Sequence, residues 1–177
     1  SFFNINLLMK FEIFKFGIVT STNDVAMNLI KGKKKDYGWV YADAQTKGRG
    51  NQGKEWVSEM GNLFGSIFFP LKNNYPSFSE FSMINPVIIS EVIKKFCKKK
   101  KISFKWPNDV FIDGRKICGI LQEVIISSGK KFLIIGIGIN IVSNPNINTN
   151  YEATNVFIET KKKPTTEEIL NLLIGSY

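Results

Sequence analysis

Residues 45–56 read Gln-Thr-Lys-Gly-Arg-Gly-Asn-Gln-Gly-Lys-Glu-Trp, a glycine-rich segment that contains three cations. Its three glycines allow backbone angles and close approaches that a Cβ atom would prevent. Arg49 and Lys54 add positive charge, so this segment suits an anion such as a phosphate, bound by backbone N–H groups and charge-assisted hydrogen bonds. A flexible basic surface turn fits the same residues, because glycine motifs also occur without a ligand.

Residues 104–110, Phe-Lys-Trp-Pro-Asn-Asp-Val, form a second polar cluster around a proline. Pro107 has no N–H and favours an extended predecessor, so we expect a strand to end here. Lys105, Asn108 and Asp109 then project from a rigid corner. An ammonium, an amide and a carboxylate suit a nucleotide, its phosphates and a metal ion. A plain turn is the alternative, since Asn and Asp are ordinary turn residues.

Two further strings complete a pattern: Ser-Thr-Asn at 21–23 and Gly-Ile-Gly-Ile-Asn at 136–140. With Gly-Arg-Gly, its downstream tryptophan and the highly specific Lys-Trp-Pro-Asn-Asp, this pattern resembles biotin–protein ligases, also called holocarboxylase synthetases. The resemblance runs from about Thr20 to Val142. It implies an α+β fold: a mixed, mainly antiparallel sheet with helices packed on one face, as in the class II synthetase-like catalytic domain of that family.

The resemblance implies an ATP-dependent enzyme that activates biotin to biotinyl-5'-AMP. Biotin would then pass to a lysine of a biotin carboxyl carrier protein, in acetyl-CoA carboxylase or a related carboxylase. ATP and Mg²⁺ would be the cofactors. A lipoate or octanoate ligase or transferase of similar fold is one alternative, although that group lacks the Lys-Trp-Pro-Asn-Asp string. A basic nucleic-acid-binding module is an alternative of a different class and rests on net charge alone.

The resemblance also implies site residues, of which Arg49, Lys105 and Lys116 would be catalytic through their charges. The residues that would bind biotin are Ser21, Thr22, Asn23, Gln45, Arg49, Gly50, Asn51, Lys116 and Gly119. Those that would bind ATP or the adenylate are Arg49, Lys54, Trp56, Lys105, Asn108 and Asn140. Asp109 would hold Mg²⁺. Ser21 also fits a simpler role as a helix cap.

Position 51 departs from the family pattern, because many bacterial members have a second arginine directly after Gly-Arg-Gly. Asn51 is neutral here, and a neutral hydrogen bond is weaker than a charged one. We therefore expect the change to tune how tightly biotinyl-adenylate is held, with Arg49 and Lys54 carrying more of the retention, and to leave the reaction class unchanged.

Composition indicates a globular enzyme without histidine chemistry. The chain has 177 residues, 44% of them hydrophobic, and lacks histidine, which excludes Ser-His-Asp and Cys-His catalysis and His-ligated metals. Cys97 and Cys118 are too few for a disulfide framework and do not form a Cys-x-x-Cys motif. No apolar run approaches the roughly 20 residues of a membrane span. Residues 1–10 lack the features of a secretory signal, so we expect a cytoplasmic protein.

The net charge of +9 lies largely in lysine clusters at 31–35, 94–101 and 161–163. Lysines at helix ends are favourable and stay solvated, so these clusters fit an ordinary charged surface. Attraction for acidic partners, including ATP or an acidic acceptor domain, is the alternative. The clusters lack the interleaved aromatics of a single-strand reader, so no specific nucleic-acid binding is expected.

We expect one catalytic domain over residues 1–177. No winged helix-turn-helix segment precedes the motifs, which argues against a repressor role. We also expect the small C-terminal β-barrel of the family to be absent or truncated, because the sequence stops at Tyr177 where that barrel would begin. The acceptor protein and the oligomeric state, a homodimer included, stay open.

Hydrophobic periodicity predicts an alternating order of elements. Strands are expected at 11–20, 39–44, 62–71, 102–105, 110–112, 116–126 and 131–142, with hairpin turns at 113–114 and 128–129. A capping box at Ser21–Asp24 should begin a helix that runs to about Lys31. Further helices are expected at 78–98, with Pro86 as a kink or in the first turn, and at 169–174 after a cap at Thr165. Residues 143–150 read as a polar loop.

Overall fold

The computed structural model describes residues 11–145 and 151–177. The elements are β1 (Glu12–Val19), α1 (Thr22–Lys31), β2 (Gly38–Gln45), a 3₁₀ turn (Asn51–Gly53), β3 (Leu63–Pro70), α2 (Phe78–Phe96), β4 (Ile102–Lys105), β5 (Asp109–Ile112), β6 (Arg115–Ser127), β7 (Lys130–Ile139), α3 (Val156–Thr160) and α4 (Thr166–Ile174). The strands differ from their predicted bounds by at most a few residues. The short helix α3, capped by Asn155, was not predicted.

All seven strands form one sheet in the order β1-β2-β3-β7-β6-β5-β4. β1 pairs with β2 in parallel, and each of the other neighbouring pairs is antiparallel. The predicted mixed, mainly antiparallel sheet is therefore confirmed. The two predicted hairpin turns are also present, and both residues of each turn, Asp113-Gly114 and Ser128-Gly129, have positive φ.

The helices lie on both faces of the sheet, which corrects the expectation of a single covered face. Trp39, Ile67 and Ile135 belong to the large core that includes residues of α2 and α4. The next residues on two of those strands, Val40 and Phe68, pack instead with residues of α1. Successive side chains of a strand point to opposite faces, so α1 covers the face that α2 and α4 leave open. β3 is accordingly buried along its whole length.

The start of α1 only partly matches the predicted capping box. Ser21 is the N-cap, and its Oγ accepts a hydrogen bond from the N–H of Asp24. The Asp24 carboxylate does not complete the box, because it forms an ion pair with Arg49. The stronger charged partner thus diverts Asp24 toward the glycine-rich loop, while Ser21 alone caps the helix.

The long helix α2 continues through Pro86, which lies in its interior and is buried. The helix begins with a capping box between Ser77 and Glu80, so its first turn is well ahead of the proline. Asn85 beside the proline is fully buried and accepts a hydrogen bond from the Tyr177 hydroxyl. These contacts tie the middle of α2 to the end of the chain.

Two expectations lie outside the described residues: the reading of residues 1–10 and most of the 143–150 loop. Within the described ranges, none of the helices combines the length and apolar character that crossing a bilayer requires.

Candidate functional site

A small cavity of about 50 Å³, here called the inner cavity, lies on the α1 face of the sheet. Eight of the nine residues predicted to bind biotin line it: Ser21, Thr22, Asn23, Gln45, Arg49, Gly50, Lys116 and Gly119. The ninth, Asn51, lines a neighbouring cavity instead. Its Nδ2 donates to the Ile120 carbonyl at 2.8 Å, which ties the glycine-rich loop to β6.

Polar side chains on α1, β2 and β3 are linked by hydrogen bonds at the inner cavity. The Ser66 hydroxyl lies 2.6 Å from Asn23 Oδ1, and both residues are buried. Gln45 Oε1 accepts the Thr22 N–H at 2.8 Å, and Gln45 Nε2 donates to Ser58. Because each group has a defined partner, the donors and acceptors here have fixed orientations.

Three glycines line the inner cavity at positions where neighbouring side chains come too close to allow a Cβ atom. A Cβ on Gly136 would lie 2.6 Å from Asn23 Oδ1. Gly119 and Gly138 face each other across β6 and β7, and a Cβ on either would lie 2.6 Å from the Trp56 ring. The indole therefore rests on this glycine pair. The glycines in the Gly-Ile-Gly-Ile-Asn string mark close approach, as expected of glycine inside a strand.

A larger cavity of about 540 Å³, the outer cavity, adjoins the first. Its walls include most of the residues predicted to bind the nucleotide and metal, namely Lys54, Trp56, Lys105, Asn108, Asp109 and Asn140. Arg49, also predicted to contact the nucleotide, lines the inner cavity. Gly50, Trp56 and Lys116 line both cavities and form the wall between them.

Lys105 reaches the outer cavity in contact with Tyr151. Its Nζ lies 2.7 Å from the Tyr151 hydroxyl and 4.7 Å from the centre of that ring. The hydrogen bond to Tyr151 raises the pKa of Lys105 and lowers the pKa of the phenol. Lys105 is exposed, so a bound anion has access to this ammonium.

Lys116 lies in the wall between the cavities and pairs with Asp109. Its Nζ is 2.8 Å from Asp109 Oδ1 and 5.4 Å from the centre of the Trp56 ring. Among the described residues, no group of three or more His, Cys, Asp or Glu side chains could hold a metal. Asp109, the carboxylate predicted to bind Mg²⁺, is instead paired with the Lys116 ammonium.

Arg49 is held between two carboxylates. Its Nη1 lies 2.7 Å from Asp24 Oδ1 and its Nη2 lies 2.9 Å from Glu123 Oε2. Burial by itself would lower the pKa of Arg49, but the hydrogen bonds and charges of Asp24 and Glu123 raise it overall. Glu123 Oε2 also accepts a hydrogen bond from Asn23 Nδ2 at 2.7 Å.

Sequence reasoning missed Ser66, Glu123, Tyr151 and Asn62. Asn62 is buried, and its Oδ1 accepts three consecutive backbone N–H groups, from residues 141 to 143. This contact fixes the chain directly after Asn140, whose Nδ2 donates to the Thr154 carbonyl. The sequence offers one signal for these residues. Ser66 lies within the phenylalanine-rich strand β3, and a hydroxyl in a buried strand needs a hydrogen-bond partner.

Comparison with known proteins places these features in a family. The model of the biotin/lipoate A/B protein ligase family matches residues 16–140. The bifunctional ligase/repressor BirA of Escherichia coli (strain K12) is 34% identical over 125 residues, 70% of this chain and 38% of that protein. The biotin–acetyl-CoA-carboxylase ligase of Paracoccus denitrificans is 32% identical over 127 residues, 71% of this chain and 52% of that protein.

Comparison with solved structures gives the same result. The structure of the biotin protein ligase from Aquifex aeolicus in complex with biotin and ATP matches with a TM-score of 0.78 and 28% identity, and the match covers 93% of this chain and 68% of that one. The present chain spans 38% and 52% of the two curated relatives. With most of its sheet and all of the inner-cavity lining inside the matched range, the chain belongs to the biotin/lipoate A/B protein ligase family.

Proposed function

We propose that this chain joins biotin to AMP from ATP and then passes the biotinyl group to a lysine of a biotin carboxyl carrier protein. The observation that carries this proposal is the wall of Gly50, Trp56 and Lys116 shared by the two cavities. A carboxylate held in the inner cavity would meet a nucleotide phosphate held in the outer one at this wall. Holding two reactants in contact supplies a large part of such catalysis.

The polar lining of the inner cavity supports biotin over lipoate or octanoate. Biotin has a ureido ring with two N–H donors and a carbonyl acceptor. Thr22, Asn23 and Gln45 offer amide and hydroxyl groups that complement such a ring. An alkyl chain has no donor or acceptor to offer these polar groups. The name of the Paracoccus relative points to the same substrate.

In the first step, an oxygen of the biotin carboxylate forms a bond to the α-phosphorus of ATP. The bond from that phosphorus to the bridging oxygen breaks, and diphosphate leaves. Lys116, Lys105 and Lys54 lie where they would stabilise the phosphate charge. Asn108 and Asn140 would orient the nucleotide.

In the second step, the amine of the acceptor lysine attacks the acyl carbon of the biotinyl-adenylate. The bond from that carbon to the phosphate oxygen breaks and AMP leaves. The acceptor would be the carrier domain of a carboxylase, as the Paracoccus relative's name indicates. The net charge of +9 would favour an acidic acceptor surface. We place the reaction in the cytoplasm, where ATP and such carboxylases meet.

Mg²⁺ enters this proposal as the partner of ATP. The described side chains do not fit a resident protein-held metal, because Asp109 pairs with Lys116 and no acidic cluster surrounds it. Mg²⁺ commonly keeps several waters and binds through substrate phosphates with one or two carboxylates. A contact between Asp109 and Mg²⁺ would compete with the ion pair between Asp109 and Lys116.

Biotin-dependent exchange of labelled diphosphate into ATP tests the proposal. We expect exchange with biotin and none with lipoate or octanoate. Lys116→Met should abolish it, whereas Lys130→Met, which breaks the exposed pair with Asp36, should not. Exchange driven by lipoate would overturn the choice of substrate. Salt-dependent DNA retention without any exchange would favour the binding module instead.

A further inference from the structure

We infer that Arg49 is a positioning residue: with Asp24 and Glu123 it forms a three-residue staple that fixes the 46–55 loop over the inner cavity. The inference deepens the proposed function and rests on it for the identity of the substrate. It gives Glu123 and Asp24 a part in retaining that substrate, and it separates Arg49 from direct recognition of the carboxylate.

The guanidinium of Arg49 is paired with carboxylates on two different elements. One terminal nitrogen binds Asp24 on α1, 25 residues away in sequence, and the other binds Glu123 on β6, 74 residues away. Charge-assisted hydrogen bonds of this kind are the stronger class. A single side chain thereby links the loop, the helix and the sheet.

The loop needs such a link because it has no hydrophobic anchor. Residues 46–55 read Thr-Lys-Gly-Arg-Gly-Asn-Gln-Gly-Lys-Glu, without one apolar side chain. The Gly50 N–H donates to the Lys54 carbonyl and the Trp56 N–H to the Gly48 carbonyl, so the loop closes on itself. At its base, the loop is hydrogen-bonded to the carbonyls of Val19 and Thr20. Its other described attachments are the two Arg49 ion pairs, a long hydrogen bond from Arg49 to Ser21, and the hydrogen bond from the Asn51 amide to the Ile120 carbonyl.

Direct recognition of a substrate carboxylate by Arg49 fits this arrangement less well. A guanidinium binds a carboxylate best through two parallel N–H groups, and Nη1 and Nη2 each already have a carboxylate partner. A third carboxylate would bring three anions around one cation. Lys116, with one carboxylate partner and three N–H donors, lies at the shared wall and is better placed.

Glu123 couples the staple to the polar lining of the cavity. Its Oε2 accepts from Arg49 Nη2 and from Asn23 Nδ2, and Asn23 Oδ1 in turn contacts the Ser66 hydroxyl. Removing the Glu123 carboxylate should therefore free both the 46–55 loop and the Asn23 amide.

Limited trypsin cleavage without any substrate tests the staple by itself. Glu123→Gln and Asp24→Asn each remove one arm, while the cleavable residues Lys47, Arg49 and Lys54 stay in place. We expect cleavage within 46–55 to become about tenfold faster in each, a change of about 1.4 kcal/mol in loop opening. The matched controls Glu12→Gln and Asp36→Asn break exposed pairs with Lys35 and Lys130 and should cleave at the wild-type rate. Equal cleavage in all five proteins would overturn the staple.

The dissociation rate of biotin then separates the two roles of Arg49, because they predict opposite signs. The staple predicts that Glu123→Gln releases biotin about tenfold faster, while diphosphate exchange at saturating biotin changes little. Direct recognition predicts slower release, since the variant frees one arm of the guanidinium, and that result would overturn the inference. Faster cleavage in a protein that binds no biotin would support the staple and overturn the proposed function.

Discussion

The inner and outer cavities share three residues and differ in how their polar groups are held. The inner cavity, about 50 Å³, is lined by buried side chains such as Thr22 and Asn23, which both contact the Ser66 hydroxyl. The outer cavity, about 540 Å³, is lined by exposed lysines such as Lys54 and Lys105. A fixed polar lining discriminates between ligands, whereas exposed cations stabilise charge on whichever phosphate arrives.

This difference predicts different kinetic effects for substitutions in the two cavities. Changes in the inner cavity should weaken biotin binding and leave ATP binding largely unchanged. Changes in the outer cavity should lower turnover with little effect on biotin. Changes in the shared wall should affect both.

The largest expected effect is that of Lys105→Ala in the outer cavity. Removing a preorganised charge from a developing phosphate typically costs about a hundredfold or more in rate. We expect that loss in diphosphate exchange, with the dissociation constant of biotin unchanged. Lys99→Ala, an exposed lysine after α2, is the matched control. Near-normal exchange in folded Lys105→Ala would contradict the role of the outer cavity.

Gly138→Ala should disturb both cavities through the shared wall. The added Cβ would lie 2.6 Å from the Trp56 indole and displace it. Overpacking costs about 1–3 kcal/mol, so we expect the dissociation constants of biotin and ATP to rise about tenfold each. Gly17→Ala on β1, where a Cβ meets nothing within 4 Å, is the control. An effect on one ligand alone would show that the wall is not shared.

Ser66→Ala should affect the inner cavity alone. It removes the hydroxyl that contacts Asn23 and Thr22 and leaves a buried amide oxygen short of a partner. Such a loss costs about 1–3 kcal/mol, so biotin should bind about tenfold more weakly by calorimetry. ATP binding should not change. Ser90→Ala, a buried serine that bonds within α2, is the control. An equal effect on ATP would remove the distinction between the cavities.

Tyr151→Phe should give the smallest effect, on pH dependence. The Tyr151 hydroxyl raises the pKa of Lys105, so its loss lowers that pKa toward the ordinary value of 10.5. If exchange requires protonated Lys105, the alkaline limb of its pH profile should move to lower pH. Tyr37→Phe removes a phenol that raises the pKa of Lys72, far from the site, and should leave the profile unchanged. An unmoved limb in Tyr151→Phe would mean that Lys105 does not set it.

Local chemistry explains what the sequence predicted well. Ser21 caps α1, and Asp113-Gly114 and Ser128-Gly129 turn their hairpins, because each depends on a few adjacent residues. The motifs that resemble the family also supplied residues that line each cavity.

Long-range pairing explains what the sequence did not show. The partners of Arg49 lie 25 and 74 residues away, and no local pattern joins them. The sequence pattern makes Asn62 the first residue of a strand, yet its side chain binds three backbone N–H groups about 80 residues later. The position of α1 on the second face likewise depends on β3 being buried on both sides, which alternation alone does not reveal.

An isotope transfer experiment tests the central claim, that a carboxylate and an α-phosphate meet at the shared wall. Biotin labelled with ¹⁸O in its carboxylate is turned over with ATP, and hydroxylamine accepts the biotinyl group. Because the carboxylate oxygen bonds to phosphorus and stays there when the acyl carbon is attacked, the AMP released should carry one ¹⁸O by mass spectrometry. Unlabelled AMP, formed at the rate of biotinyl hydroxamate, would contradict the account.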